Sequence, residues 1–447
     1  MLFRRQAEQL VKHRYEQKIT KGKEMRWWDL SLIGTGSVIG AGFFLGSALS
    51  IQRAGPSLLI VYLLGGFTAF VVFSALADMS VNDPQEGSFR VYARKAFGHS
   101  MGFMSGWMYW LAGILIVSSE IAALSIFSRF WFPTTPIGVF TAFYSLLGLA
   151  IILLGVKDFG KVESWLGLLK TSSLLVFILL GVLLLSGIIT PQAPNTANFL
   201  SSAAPDKWFA HGITGTWTAM IFVLFSYGGI EVMGILSCEL KNHREIGKAG
   251  RVMLISLTLV YTLALFFVFI LVPWQTVNPS QSPFVTALTV FRLSFANSLL
   301  NLIIISAAFS TMVGALFAIT NVMVSLAEDQ NAPAKLADRN ARGVPVPALK
   351  VTSAGLVIAV ILSFLLPNTV YEYLTAAAGV MLILNWIIIL SSQLRNRPNY
   401  MENSPRLNMF GYPYTSYVAI GLIIFTIIGA LLSTGERIGV IISLLLA

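Results

Sequence analysis

Three ionisable residues lie inside long apolar segments of this 447-residue sequence, where water cannot stabilise a charge: Lys170, Glu120 and Glu231. Such residues cost several kcal/mol unless they are paired or face a water-filled cavity. Buried acids and amines are therefore candidate proton carriers. The alternative for Lys170 is an ammonium group that reaches the membrane surface, but the residue lies too deep for easy escape. The alternative for either glutamate is a neutral hydrogen bond that holds a helix together.

Glycines interrupt the first apolar segment, with five of them in the thirteen positions from Gly34 to Gly46. Glycine in a helix interior costs about 1 kcal/mol relative to alanine, so the cluster needs a reason. One reason is close packing of helices through small residues. The other is a helix broken in mid-membrane, whose free amide groups bind an anion such as a carboxylate. A dinucleotide site is excluded, because the glycine spacing differs and no strand precedes it.

A second interruption lies in the sixth apolar segment, where Gly228 and Gly229 precede Glu231. Interrupted segments at corresponding positions of two halves are the best sequence sign of a transporter built from inverted repeats. We therefore expect a ten-helix core over residues 27–393. Its first repeat would cover residues 27–190 and its second residues 211–393, with residues 394–447 peripheral.

The composition indicates a membrane protein, because 56% of the residues are hydrophobic and only 11% are charged. The residues discussed above must therefore be positioned by helices that cross the membrane. A membrane-spanning helix takes about 20 apolar residues, and the runs are continuous rather than alternating as in a barrel. Eleven spans are predicted, at residues 27–50, 56–80, 101–128, 136–155, 161–188, 212–238, 252–274, 296–327, 346–366, 371–393 and 412–433. A twelfth, beginning near Ile438, is expected to be short, truncated or only partly inserted.

Lysine and arginine positions predict the orientation, because cytoplasmic loops retain positive charge. With the basic segment 1–26 in the cytoplasm, 24 of the 30 basic residues fall on that side. The sequence thus predicts a multi-pass protein of the cytoplasmic membrane. The topology also accounts for the net charge of +10, so nucleic-acid binding is not indicated. The partners expected are the lipid bilayer, protons and a small-molecule substrate, and the sequence leaves the existence of a protein partner open.

The sequence gives little support for a metal site or for enzymatic activity. Cys238 is the single cysteine, and the four histidines lack metal-site spacing. No cofactor motif and no cluster of nucleophile and base is present, so we do not expect an enzyme. The polar and aromatic segment 86–94 is expected to be either an amphipathic helix at the membrane surface or part of a gate.

Taken together, these segments resemble the amino acid permease family of the amino acid-polyamine-organocation superfamily over almost the whole chain. Residues 39–46 resemble its Ile-Gly-x-Gly-hydrophobic-Phe element, and residues 106–110 with Glu120 resemble the start of its third helix. Residues 161–170, 227–231 and 306–329 resemble its fifth, sixth and eighth helices. The resemblance implies an all-α, LeuT-like fold of about twelve helices, with broken first and sixth helices.

The resemblance also implies roles for individual residues. The amides of Gly40, Ala41 and Gly42 would bind a substrate carboxylate. Carbonyl groups near Val38, Phe225 and Gly228 would bind its ammonium group, and Phe225 is also a candidate gate. Lys170 would take the place of a bound sodium ion, with Glu120 and Glu231 as further candidates for proton coupling. The expected function is proton-coupled symport of an amino acid as the small-molecule substrate, with exchange or non-transporting reception as alternatives.

The chain also departs from the family pattern. Ala41 replaces a common serine or threonine, Val313 and Gly314 replace an Asn-Ser pair, and Asn321 stands where arginine is frequent. Few side-chain charges remain to pair with a charged substrate side chain. A neutral amino acid is therefore expected.

Overall fold

A computed structural model describes residues 25–85, 87–155, 159–189, 208–289, 294–366, 369–400 and 407–446. Most of these residues are helical, and they contain no strand, only isolated bridges such as the one between Met25 and Leu240. The expected basic segment 1–26 lies almost entirely outside the described residues, as does Glu86. The chain is therefore an all-α protein, as predicted.

Seventeen α-helices follow one another along the described chain. In order they are α1 Trp27–Val38, α2 Ala41–Phe44, α3 Gly46–Ala54, α4 Leu58–Asn82, α5 Ser88–Phe97, α6 His99–Ser128, α7 Ile137–Leu154, α8 Phe159–Leu185, α9 Gly212–Ser226, α10 Ile230–Leu236, α11 Ile246–Leu271, α12 Pro283–Leu288, α13 Ser294–Glu328, α14 Val346–Leu365, α15 Val370–Asn396, α16 Tyr414–Ala430 and α17 Thr434–Leu446. The central packing joins α6 to α13 and α15, while α8 lies against α1.

Among the described residues, nine helical stretches are long and apolar enough to cross a membrane, and a bent final pair raises the number to ten. One of the nine is the 42-residue stretch Ala41–Asn82, twice the length needed to cross. That stretch contains the first predicted span from Ala41 onward, which is its outer part in the predicted orientation, and all of the second. The protein is therefore polytopic, with a helix count close to the expected twelve.

The first predicted span is broken where the glycines cluster. Helix α1 ends at Val38, and both Ile39 and Gly40 are extended before α2 begins. A Cβ placed on Gly40 would lie 2.6 Å from Glu120 Oε1 and 3.0 Å from Thr311 Oγ1. A side chain at this position would thus collide with α6 and α13, so the break requires glycine.

The sixth predicted span is also broken where its glycines lie. Helix α9 ends at Ser226 and α10 begins at Ile230, with Gly229 between them at φ +107°. A Cβ on Gly229 would lie 2.7 Å from the carbonyl oxygen of Ser37, next to the end of α1. The two breaks therefore touch each other.

The last helix begins at Thr434, four residues earlier than predicted, and turns by 118° from α16. Polar residues open it because the fully buried Glu436 forms an ion pair with Arg53 at the end of α3. Further along, Ser443 Oγ donates to the carbonyl oxygen of Ala377 at 2.9 Å. Helix α17 is thus attached to the core through α3 and α15.

Candidate functional site

A cavity of about 920 Å³ extends from the two helix breaks to one face of the protein. Of the expected substrate-binding residues, Val38, Gly42, Phe225 and Gly228 line it. Gly40 and Ala41 do not line it, although they flank Gly42 in the chain. At its far end the lining includes the exposed residues Pro84, Glu328 and Arg339. That end carries the loops that the positive charges predict to be cytoplasmic.

Glu120, projecting from α6, lines the cavity beside the first break. Its side chain is buried, and both carboxylate oxygens accept a hydrogen bond from the backbone N–H of Ala41, at 3.0 and 3.1 Å. Glu120 therefore holds an amide that the resemblance assigns to the substrate carboxylate.

Lys170 lies behind the first break rather than in the cavity lining, and its side chain is 1% exposed. Its Nζ donates to the carbonyl oxygen of Gly36 at 2.6 Å and to Thr311 Oγ1 at 3.0 Å. An unwound helix end leaves carbonyl groups without helical partners, which an ammonium group satisfies. Lys170 thus ties α8 to the end of α1 and to α13.

Glu163 is the charged partner of Lys170, at 3.4 Å, and the sequence analysis did not single it out as a functional residue. Its other oxygen, Oε2, accepts a hydrogen bond from Ser310 Oγ at 2.8 Å. The available sequence signal was spacing, because residues i and i+7 lie two turns apart on one helix face. The buried pair lowers the cost of placing an ammonium group in an apolar region.

Thr311 of α13 was also missed. Its hydroxyl accepts from Lys170 and lies 3.1 Å from the carbonyl oxygen of Ile39, inside the first break, to which it donates. One side chain therefore contacts both the lysine and the unwound segment. No sequence signal separates this threonine from others in apolar helices, where the hydroxyl bonds to the preceding turn.

Glu231 follows the second break and contacts the groups that the break leaves free. Its Oε2 accepts from the N–H of Gly229 at 3.0 Å, and its Oε1 accepts from the indole N–H of Trp386. The residue is fully buried, yet atoms of it line the cavity. This arrangement matches the interpretation in which a glutamate holds a broken helix together.

Phe225 closes the space between the two breaks. A Cβ on Gly42 would lie 3.0 Å from its ring, so the ring lies directly on the outer part of the broken first span. Gly228 N donates to the carbonyl oxygen of Phe225 at 2.9 Å. The ring and the two glycines therefore form the inner end of the cavity.

Aromatic side chains pack around α2, the short helix that follows the first break. Phe43 stacks on Tyr261 with ring centroids 3.6 Å apart, and it also contacts Tyr62 and Phe284. All four side chains are fully buried. Because Phe43 belongs to α2, the cluster packs against the helix that directly follows the first break.

A second cavity of about 470 Å³ has Tyr371 and Glu372 in its lining. The hydroxyl of Tyr371 donates to the carbonyl oxygen of Ala41 at 2.9 Å. Glu372 accepts from Arg53 at 2.7 Å, and Arg53 also pairs with Glu436. The start of α15 thus closes over the outer half of the broken first span.

The segment expected as a surface helix or a gate forms α5, most of whose side chains are buried. Arg90, in this helix, lines the large cavity and pairs with Asp329 at 2.6 Å. It also donates to Ser325 Oγ at 2.7 Å. Helix α5 therefore packs into the protein and is held to the end of α13, at the cavity mouth.

Among the described residues, no group of His, Cys, Asp and Glu is arranged to hold a metal ion.

Known proteins of one family match the chain over nearly its full length. The family model for amino acid permeases matches residues 29–439. The uncharacterized transporter YcgH of Bacillus subtilis (strain 168) is 38% identical over 426 residues, covering 94% of this chain and 92% of that protein. The aromatic amino acid transport protein AroP of Escherichia coli (strain K12) is 31% identical over 428 residues, covering 95% and 92%. The chain therefore belongs to the amino acid permease family, whose members are membrane transporters rather than enzymes.

Proposed function

We propose that the protein is a secondary transporter that carries neutral L-amino acids across the cytoplasmic membrane together with protons, by alternating access. Its N-terminus would lie in the cytoplasm. The observation that carries the proposal is that two broken spans touch at the closed end of a deep cavity. Irregular backbone at membrane depth is tolerated where it lines such a cavity or meets a ligand.

The breaks offer complementary partners for the two charged groups of an amino acid. The amides of Gly40, Ala41 and Gly42 would receive the carboxylate, because they begin the outer half of the broken first span. Carbonyl groups of Val38, Phe225 and Gly228 would receive the ammonium group. Substrate would thus be held mainly by backbone atoms, which recognise the part shared by all amino acids.

A neutral side chain fits the inner part of the cavity. Much of the cavity lining consists of apolar and small residues, including Gly113, Ile116, Ala315, Ala318 and Ile319. Of the charged residues in the lining, Glu328 and Arg339 lie at the exposed mouth. Glu120 and Glu231 already accept hydrogen bonds from backbone N–H groups at the breaks. The name of AroP, which specifies aromatic amino acids, agrees with an uncharged substrate.

Proton coupling would act through Lys170, with Glu120 and Glu231 as further titrating groups. A charged Lys170 holds α8 to the end of α1, and loss of its proton would release that tie. The hydrogen bond from Lys170 to Gly36 is present in this structure, in which the cavity opens at the face that carries Arg339. We therefore assign its release to a step after the inward-facing cavity has opened.

The inverted repeat remains part of the proposal. Residues 27–190 and 211–393 would form the two repeats, because the breaks at Ile39–Gly40 and Gly228–Gly229 fall in the first helical span of each. Residues 394–447 would lie outside this core. A solved pair of inward- and outward-facing structures would test the repeats, since they should exchange conformations.

Uptake by purified protein in liposomes tests the function. Tritiated L-phenylalanine, L-leucine, L-serine and L-lysine would be offered without sodium, with and without an inward proton gradient. Accumulation of a neutral amino acid only with the gradient is expected. Uptake only into liposomes preloaded with amino acid would favour an exchanger instead. Binding without uptake in every condition would favour a receptor and contradict transport.

A further inference from the structure

The cavity already holds an anionic side chain at the place expected for the substrate carboxylate. Both oxygens of Glu120 lie within hydrogen-bonding distance of the Ala41 amide, at 3.0 and 3.1 Å. This amide lies next to the Gly40 break, and Glu120 itself lines the cavity. An incoming carboxylate therefore meets an occupied site.

The Ala41 amide has a single N–H, and Glu120 occupies both that N–H and the space next to it. A Cβ on Gly40 would lie 2.6 Å from Glu120 Oε1, and the Thr311 side chain is 3.0 Å from the same point. The Glu120 carboxylate thus fills the space beside Gly40, and the one N–H of Ala41 is already bonded to it. An amino acid binds with its carboxylate on the Ala41 amide only when Glu120 leaves that amide.

We propose that the Glu120 carboxylate and the α-carboxylate of the substrate compete for the Ala41 amide, so that substrate binding and protonation of Glu120 are a single linked event. This inference rests on the proposed function. Two carboxylates that share a site do not both stay ionised, because each raises the cost of charging the other. Once displaced, Glu120 takes up one proton from the bulk solution by way of the cavity, and the substrate carboxylate stays ionised on the amide.

The other titratable groups around Glu120 do not replace its role. Lys170 on α8, Tyr261 on α11 and Tyr371 on α15 each interact with it electrostatically. The Lys170 ammonium is already paired with Glu163 and donates to Gly36, so it contributes positive charge without contacting the cavity. Tyr371 donates to the carbonyl oxygen of Ala41, on the other side of the peptide chain. Glu120 is the group placed on the amide itself.

Proton uptake during binding measures the linkage directly. Purified protein would be titrated with L-phenylalanine and L-leucine in a calorimeter, in two buffers of different ionisation enthalpy. The wild type is expected to take up close to one proton per bound amino acid, and its affinity should fall by up to tenfold for each unit of rising pH. Glu120→Gln, which carries no charge, is expected to bind with no proton uptake and with less than a twofold change of affinity over the same pH range.

A matched control is Glu328→Gln, since Glu328 lines the exposed mouth of the same cavity far from the break. It should keep the wild-type proton uptake. If Glu120→Gln does not fold, Glu120→Asp and the wild type still test the inference, because the shorter side chain keeps the proton but should shift the pH range. Wild-type binding without proton uptake, or unchanged uptake in Glu120→Gln, would overturn the competition while leaving amino acid transport standing. If the wild type binds neither amino acid at any pH, both the proposed function and the competition fall.

Discussion

Replacing Glu163 by glutamine removes the charged partner of Lys170 in a region that water does not reach. The two side chains are 2% and 1% exposed, and the charged groups lie 3.4 Å apart. Removing one partner of a buried ion pair costs about 3–5 kcal/mol, because the other charge is left uncompensated. Lys170 keeps two neutral acceptors, Gly36 and Thr311, so we expect the lower end, about 3 kcal/mol.

A double-mutant cycle separates the pair from its surroundings. Glu163→Gln, Lys170→Met and the double variant would be unfolded reversibly in mixed detergent micelles and followed by tryptophan fluorescence. Each single variant should lose about 3 kcal/mol of unfolding free energy, whereas the double variant should lose clearly less than the sum. The reasoning is refuted if the two single losses add to the double loss within about 0.5 kcal/mol.

Three further predictions concern the breaks and the outer wall. Gly229→Ala should reduce transport at least tenfold, because the added Cβ would lie 2.7 Å from the carbonyl oxygen of Ser37. Gly343 also has a positive φ but has open space around it, so the control variant Gly343→Ala should keep transport. Tyr371→Phe should weaken closure of the outer side by about 1 kcal/mol, the usual worth of one hydrogen bond, seen as faster labelling of a cysteine placed in the second cavity. Glu436→Gln should destabilise the protein by about 1–3 kcal/mol in the same unfolding assay, since the arginine it pairs with keeps one other carboxylate. An unchanged labelling rate in Tyr371→Phe would contradict the second prediction, and an unchanged stability of Glu436→Gln would contradict the third.

The helix breaks were predictable because their signal is local. Glycine clusters in apolar segments conflict with helix propensity, and the structure has a break at each one, at Gly40 and at Gly229. The positions of most spans were predictable for the same reason, since hydropathy is a property of a short window. The bend before α17 was not, because it depends on Glu436 meeting Arg53 from a distant part of the chain.

The partners of the buried charges could not be read from the sequence. Lys170 was recognised as a residue that needs a partner, but its contacts to Gly36 and Thr311 depend on how three helices are rotated about their axes. Glu120 likewise required the folded arrangement, because its contact to Ala41 joins residues 79 positions apart. Composition thus predicts that a buried charge must be satisfied, and the packing determines which atoms satisfy it.

The central claim is that backbone amides at the first break hold the carboxylate of an amino acid. Uptake of tritiated L-phenylalanine or L-leucine into liposomes, challenged by the matching amino acid amide, tests it most directly. We expect the unlabelled amino acid to abolish uptake and the carboxylate-blocked amide to compete at least a hundredfold more weakly. Equal competition by the amide would contradict carboxylate binding at Gly40, Ala41 and Gly42.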